Sequence, residues 1–278
     1  MRFLISLLTL AATSYGVWEF SKSHPEIKSK IQSYLNMGHF HTLEVRYSAA
    51  QIMETHRKDL LKDARHKYLE PVLHFYPYVL CEVKYTLSND KTKEGVILWD
   101  LTDGEMVINT KDWQKTHGFG DCINANTDKN EFRILNILSQ KGGSIDREGL
   151  TSALHVEPEV LHSWLEKCRK KKLIVQYGNR YRLHLENPRL KTIPETKIDQ
   201  KLVTKSLKNA LCRSKRYSVN QVQKLTKAAF GQDFTIRKST DVYLPVYGIV
   251  VQNPDGSVHT SHWNALNGKL LNSKYFIE

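Results

Sequence analysis

Residues 131–185 read EFRILNILSQKGGSIDREGLTSALHVEPEVLHSWLEKCRKKKLIVQYGNRYRLHL, and the rest of the chain is organised around them. Phe132, Leu135, Ile137 and Leu138 recur at helical spacing within residues 130–140, and Gly142-Gly143 supplies a C-terminal stop. Asp146 is placed to cap a second helix with Leu150 and Leu154 inward. Pro158 suits the first turn of a third, where Leu161, Trp164, Leu165 and Cys168 fall at i, i+3, i+4 and i+7 and share one face. Residues 173–177 and 180–185 then read as two strands joined at Gly178-Asn179.

Towards the N-terminus, residues 42–47 alternate like a strand and Ser48 can cap a following helix. Residues 49–68, with Ile52, Leu60, Leu61 and Ala64 among charged neighbours, suit one amphipathic helix bounded by Pro71. Residues 75–85 form a strand with Val79, Cys81, Val83 and Tyr85 on one face. Ser88-Asn89-Asp90 has turn chemistry, residues 94–101 and 105–109 are further strands, and Asp103-Gly104 is the turn between them. The unit is a helix on an antiparallel meander, spanning residues 42–113. Residues 114–129, with Gly118, Gly120, Asn124, Asn126 and Asp128, read as a linker. Residues 186–216 read as a basic linker, with Pro188 and Pro194, and a short helix carrying Leu202, Val203, Leu207 and Leu211. A final unit fills residues 217–278.

The first and last units resemble each other. Tyr47-Ser48 and Gln51 match Tyr217-Ser218 and Gln221 at an offset of 170 residues. Pro77 matches Pro245 at an offset of 168, and Trp99 to Gly104 matches Trp263 to Gly268 at 164. Loop-length changes account for the drift. Each shared landmark has a physical use: a helix start, a proline at a strand start, a tryptophan core anchor and a hairpin turn. Three landmarks in one order point to an internal repeat.

The chain has 278 residues, 40% apolar and 25% charged, which is ordinary for a globular protein and excludes general disorder. Its net charge of +12 is not ordinary and favours nucleic acid, anionic lipid or an acidic protein as partner. Cys81, Cys122, Cys168 and Cys212 make no CxxC pair, so the usual zinc spacing is missing. Residues 3–18, FLISLLTLAATSYGVW, carry no charge. Within residues 1–20 they read as a retained membrane anchor with Tyr15 and Trp18 at the interface, as a signal peptide cleaved near Ala12-Thr13-Ser14, or as a buried helix. As an anchor they make the protein a single-pass membrane protein. Lys22, Lys28 and Lys30 after the segment lean the body towards the cytoplasm; cleavage would instead export it.

In element order, residues 129–185 resemble the winged-helix family. That resemblance implies a third helix in the major groove and a hairpin on phosphate. The residues that carry it here are Lys167, Arg169, Lys170, Lys171 and Lys172 at the end of the third helix, and Arg180 and Arg182 in the hairpin, with His162, Ser163 and Asn179 exposed nearby. Glu157, Glu159 and Glu166 lie on the same helix and oppose phosphate, and basic residues at a helix C-terminus also complement its dipole. The flanking units resemble the small helix-plus-meander accessory domains of membrane-anchored bacterial proteins.

Catalytic signals are few. His117 and Cys122 share a loop, which has the residue types of a base and a nucleophile, without an orienting third group. His39 and His41 lie two apart, and His259 and His262 fall on opposite faces of a strand. No phosphate loop, HExxH or nucleophile elbow occurs. The expectation is an α+β protein with two repeated helix-plus-antiparallel-sheet units flanking a central winged helix. It needs neither cofactor nor metal. It serves as a non-enzymatic, membrane-anchored scaffold or adaptor for a protein partner, or alternatively as a membrane-tethered nucleic-acid binder.

Overall fold

The computed structural model describes residues 38–87, 90–141, 144–231 and 233–271. The apolar residues 3–18, the turn at Ser88-Asn89 and the stop at Gly142-Gly143 lie outside the described residues. Among the described residues no helix is long and apolar enough to cross a membrane. The described residues divide into two units: residues 38–40 with 204–209, and a body of residues 41–203 with 210–271. In the smaller unit the Leu207 N–H donates to the Gly38 carbonyl at 2.7 Å.

The fold is α+β. The chain begins with β1 (His39–Leu43), α1 (Ala49–Thr55), α2 (Arg57–Leu60), β2 (Lys67–Tyr68), β3 (Val72–Thr86), β4 (Thr92–Asp100), β5 (Met106–Asn109) and β6 (Gln114–Lys115). Then come α3 (Phe119–Asn124), α4 (Lys129–Lys141), β7 (Ile145–Asp146), α5 (Arg147–Leu154), α6 (Pro158–Lys170), β8 (Ile174–Tyr177) and β9 (Arg180–Leu183). It continues through β10 (Leu202–Ser206), β11 (Leu211–Cys212), α7 (Val219–Phe230), β12 (Thr235–Gln252) and β13 (Val258–Asn264). A ten-stranded sheet contains the path β1-β12-β3-β4-β5-β6, and a three-stranded sheet is ordered β7-β9-β8.

The long strands β3 and β12 pair antiparallel at the centre, with Pro77 opposite Tyr243 and Pro245 opposite Phe75. A twofold rotation about the pair Tyr76–Leu244 therefore maps this ladder onto itself. The two hairpins obey the same relation. The Leu101 N–H donates to the Pro77 carbonyl at 3.0 Å, and the Ala265 N–H to the Pro245 carbonyl at 3.1 Å. Both prolines fall inside their strands rather than at a strand start. A residue's N–H and C=O point to the same side of a strand, so each missing N–H faces the carbonyl of Leu101 or Ala265, which accepts the N–H of Tyr217 or Tyr47 instead.

Each of the two Tyr-Ser helix starts is bonded to the hairpin distant from it in sequence. The Tyr217 N–H donates to the Leu101 carbonyl at 2.9 Å, and the Tyr47 N–H to the Ala265 carbonyl at 2.9 Å. Both helices begin with a capping box: Ser48 with Gln51, and Ser218 with Gln221. Val222 and Leu225 of α7 join the core of Val79, Val83 and Trp99, whereas Ile52 of α1 joins Ile249 and Trp263. The preceding strands cross too, since β11 runs parallel to β3 with Cys212 opposite Phe75, and β1 parallel to β12 with Thr42 opposite Tyr243. The first helix thus packs on β12 and β13, not on the meander that follows it.

Other expectations are corrected. The single helix over residues 49–68 breaks into α1 and α2, then a turn in which the Asp63 carboxylate accepts the Arg65 N–H at 2.8 Å. Such a local bond competes with helix continuation. The short helix expected around residues 202–211 is instead the strands β10 and β11. Leu202, Leu207 and Leu211 are 44, 43 and 51% exposed, so they make no buried helical face. The basic linker is partly built into the sheet, because the Thr196 hydroxyl accepts the Leu98 N–H at 2.9 Å and donates to the Val107 carbonyl.

Residues 114–129 are not a linker but hold β6 and α3, with Phe119 and Cys122 fully buried. The Glu105 carboxylate organises them by accepting the N–H groups of Gly118 at 2.9 Å, Phe119 at 3.3 Å and Gly120 at 3.0 Å, and the Thr116 hydroxyl at 2.7 Å. Gly120 is required by close approach, since a Cβ there would lie 2.2 Å from the Asp103 carbonyl oxygen. The Phe119 ring then meets Trp99 of β4, Phe132 of α4 and Phe230 of α7 at centroid distances of 5.2, 5.5 and 6.4 Å. One continuous core thereby joins the sheet, α7 and the segment from α4 to β9.

Candidate functional site

In that central segment the Asp146 carboxylate accepts the Gly149 N–H at 2.8 Å and starts α5, and Pro158 occupies the first turn of α6. Leu161, Leu165 and Cys168 are buried and turn the opposite side of α6 to solvent. Gly178, with φ of +58°, makes the tight turn between β8 and β9.

The cations singled out in the sequence fall into two groups. Some have structural work. The Lys171 ammonium lies 2.6 Å from Glu131, a carboxylate only 1% exposed, and donates to the Asn126 carbonyl at 2.9 Å. Arg169 pairs with Glu166 at 2.6 Å. Arg180 donates to the Ser144 hydroxyl at 2.7 Å and carbonyl at 2.6 Å, tying the hairpin to the start of α5. By contrast Lys167, Lys170, Lys172 and Arg182 are exposed and make no ion pair among the described residues. Arg180 and Arg182 share the outer face of the hairpin with Tyr177, which is 87% exposed and was not singled out from the sequence. At the other end of α6, Glu157, Glu159, His162 and Ser163 are exposed, as is Val160 at 40%.

A polar cleft of about 960 Å³ lies where β6 and α3 meet the start of β8. Lys115, Lys171, Lys172 and Lys269 line it together with Asp103, Glu105, Asp112, Asp121 and Glu186, so its charges nearly balance, and His117 and His184 complete the lining. Behind it is a buried ionic cluster. The Lys115 ammonium lies 2.5 Å from Asp100 and 2.8 Å from Asp103, and the Tyr78 hydroxyl donates to Asp100 at 2.5 Å. Burial opposes the Asp100 charge, but Lys115 and the hydrogen bonds from Lys115, Thr102 and Tyr78 hold its carboxyl below the usual range. Asp103 goes the other way. Burial, and then the Asp100 carboxylate, raise it to about 7 against the pull of Lys115. The second half carries Asn264 and Asn267 at these positions, and their side chains accept the N–H groups of Leu266 at 2.9 Å and Lys269 at 3.0 Å. The sequence alone does not single out this cluster; the signal that could have found it is acid in one segment where the matching turn positions of the other carry amides, Asp100 and Asp103 against Asn264 and Asn267.

A testable pH dependence follows. The folded chain keeps a proton on Asp103 that the unfolded chain releases near pH 3.9. The folded state thus binds more protons between about pH 4 and 7, so this group's contribution to stability falls as pH rises through that window. Asp103→Asn is expected to stabilise the chain at pH 8 by on the order of 2 kcal/mol, with the gain shrinking towards pH 5. Thermal denaturation at the two pH values checks this, and equal gains at both would contradict it.

The loop pair of His117 and Cys122 does not assemble a nucleophile. Cys122 is fully buried, and burial pushes its thiol up to about 12. His259 and His262 fall on opposite faces of β13, opposite Val251 and Gly248. Among the described residues no group of three or more His, Cys, Asp or Glu side chains is placed to hold a metal. Comparison with protein-family models, with curated proteins and with solved structures finds no match.

Proposed function

We propose that the protein is a non-catalytic adaptor, held at a membrane by residues 3–18, that presents fixed surfaces to a protein partner. In this reading residues 129–185 are a winged helix, and the two halves around it are copies of one strand-helix-meander unit that exchange their first strand and helix. The order of α4, α5, α6 and the β8–β9 hairpin supports the first assignment, and the reciprocal hydrogen bonds support the second. Membrane attachment is supported by the sequence of residues 3–18. The observation that carries the adaptor reading is the core running without a break from the sheet through Phe119 into α4. A module fixed in this way offers a preorganised surface, which lowers the cost of ordering on binding. The face it offers at the start of α6 mixes Glu157, Glu159, Val160 and His162, a composition for protein rather than phosphate.

A second reading, nucleic-acid binding, is favoured by one observation: exposed Tyr177 stands beside Arg180 and Arg182 on one hairpin face. Aromatic stacking with cationic phosphate contacts suits a nucleic-acid strand. A photo-crosslinking amino acid placed at Val160 or at Tyr177 in the producing cells distinguishes the two. The adaptor reading predicts a discrete, nuclease-resistant protein adduct from Val160. A nuclease-sensitive adduct from Tyr177, none from Val160, and a duplex affinity falling steeply with salt would overturn it in favour of the second.

A further inference from the structure

The two halves of the sheet are covered unequally. In the first half Val83, Tyr85, Ile97, Trp99 and Met106 are all buried, and Phe119 closes the face by meeting Trp99 edge-on at 5.2 Å. The alignment offsets of 168 for the long strands and 164 for the hairpins convert these positions to Val251, Asn253, Ser261, Trp263 and Leu270. Three of the five positions become more polar or more exposed: Tyr85 becomes Asn253, Ile97 becomes Ser261, and Leu270 is 46% exposed where Met106 is buried, while Val251 and Trp263 keep their residue and remain 3 and 4% exposed. Together with His56 and Leu60 from the exchanged helices, these residues line an open pocket of about 680 Å³. Beside Trp263 the described residues place the His56 ring, at 4.4 Å. Among the described residues no second ring stands where Phe119 stands in the first half.

The rim of this pocket is cationic on balance. Lys62 and Lys269 line it with one carboxylate, Asp59, together with His259 and with His66, which faces Asp63 at 2.9 Å. Lys269 reaches Asp112 at 3.5 Å, with both side chains 62% exposed, an ion pair weak enough to exchange for another carboxylate. The floor is a tryptophan with apolar neighbours, the form that anchoring aromatic side chains fill at interfaces.

We propose that this face docks a segment of a partner protein that places one aromatic side chain beside Trp263 and carboxylates against the rim. The partner would do in trans what Phe119 and α3 do within the chain for the first half. Two features support this occupant, namely the charge of the rim and the filled counterpart of the same site. The inference deepens the adaptor reading and rests on it for the presence of a partner. It uses a surface other than α6 and the hairpin.

The test uses the full chain and a probe peptide, acetyl-Glu-Gly-Phe-Gly-Asp-amide, which contains the sequence of residues 118–121. The indole N–H signal of Trp263 is followed by heteronuclear NMR, with that of Trp99 as the internal reference for an intact fold. The peptide is expected to shift the Trp263 signal saturably, with a Kd of about 1 mM or tighter, and to leave Trp99 unmoved. Replacing the peptide's Phe by Ala should weaken binding at least tenfold, as should Leu60→Glu in the protein, again with Trp99 unchanged. No shift at several millimolar peptide would overturn the proposal, as would equal shifts from the Phe and Ala peptides. It would also fall if the Trp263 signal of the free chain moved with protein concentration, which marks a second copy as occupant. A Trp263 signal that moved in the free chain on Phe276→Ser would mark the chain's own end as occupant and overturn it equally. A failed titration alongside a protein adduct at Val160 would remove this docking face and leave the adaptor reading standing. A successful titration without that adduct would do the reverse.

Discussion

Lys115→Met is expected to destabilise the folded chain by about 3–5 kcal/mol at pH 8, the usual cost of removing one partner from a buried ion pair. The reason is local. Asp100 is 1% exposed and has Lys115 2.5 Å away as its cation, while Asp103 stands on the other side of the same ammonium at 2.8 Å. Without Lys115, two buried carboxylates face each other. The loss should be smaller near pH 5, because Asp103 already titrates at about 7 and takes up a proton in place of the missing cation. The second half shows how the turn is built without charge, from Asn264 and Asn267. A triple variant, Asp100→Asn, Asp103→Asn and Lys115→Met, is therefore expected to recover most of the stability lost in the single one. Denaturant titrations of both variants at the two pH values measure this. A single variant as stable as the parent would mean that the cluster is not closed to water.

Phe119→Ala is the second large effect, with an expected cost of about 3–5 kcal/mol for truncating a fully buried ring. The distribution of that cost matters more than its size. The ring touches Trp99, Phe132 and Phe230, which belong to the sheet, to α4 and to α7. A cavity there loosens all of them together. Thermal denaturation should show one transition, shifted to lower temperature, and not a separate early melting of residues 129–185. Glu105 holds α3 through backbone N–H groups that the substitution does not remove, so α3 keeps its start even as the core loosens.

Local patterns in the sequence were sound guides where a single element carries its own signal. The alternation of Val79, Cys81, Val83 and Tyr85 marks a strand face that is buried in the structure, and Asp146 and Pro158 stand at helix starts as their chemistry requires. Reading failed where tertiary partners decide. Composition made residues 114–129 a linker because glycine and asparagine are frequent in linkers, yet Gly120 is there for close approach to Asp103. The aligned Tyr-Ser and Trp landmarks showed that the two ends resemble each other but could not show which helix packs on which sheet. The choice of sheet leaves every local pattern in the helix unchanged. The candidate cations were chosen by position alone, and sequence has no means of telling Lys171, drawn onto buried Glu131, from Lys170, which faces solvent. Sequence does not mark Tyr177 either, because an exposed aromatic and a buried one look the same in a strand.

The claim on which the rest depends is that the central segment and the sheet form one cooperative body through Phe119. Native-state hydrogen exchange of the full chain and of Phe119→Ala tests it most directly. The protected amides of α4 and α6 are predicted to open with the same free energy and denaturant slope as those of β3 and β4, and the substitution should lower both sets by the same amount. Exchange of α4 and α6 through a separate, lower-energy opening that leaves β3 and β4 protected, with Phe119→Ala acting on one set alone, would contradict the account.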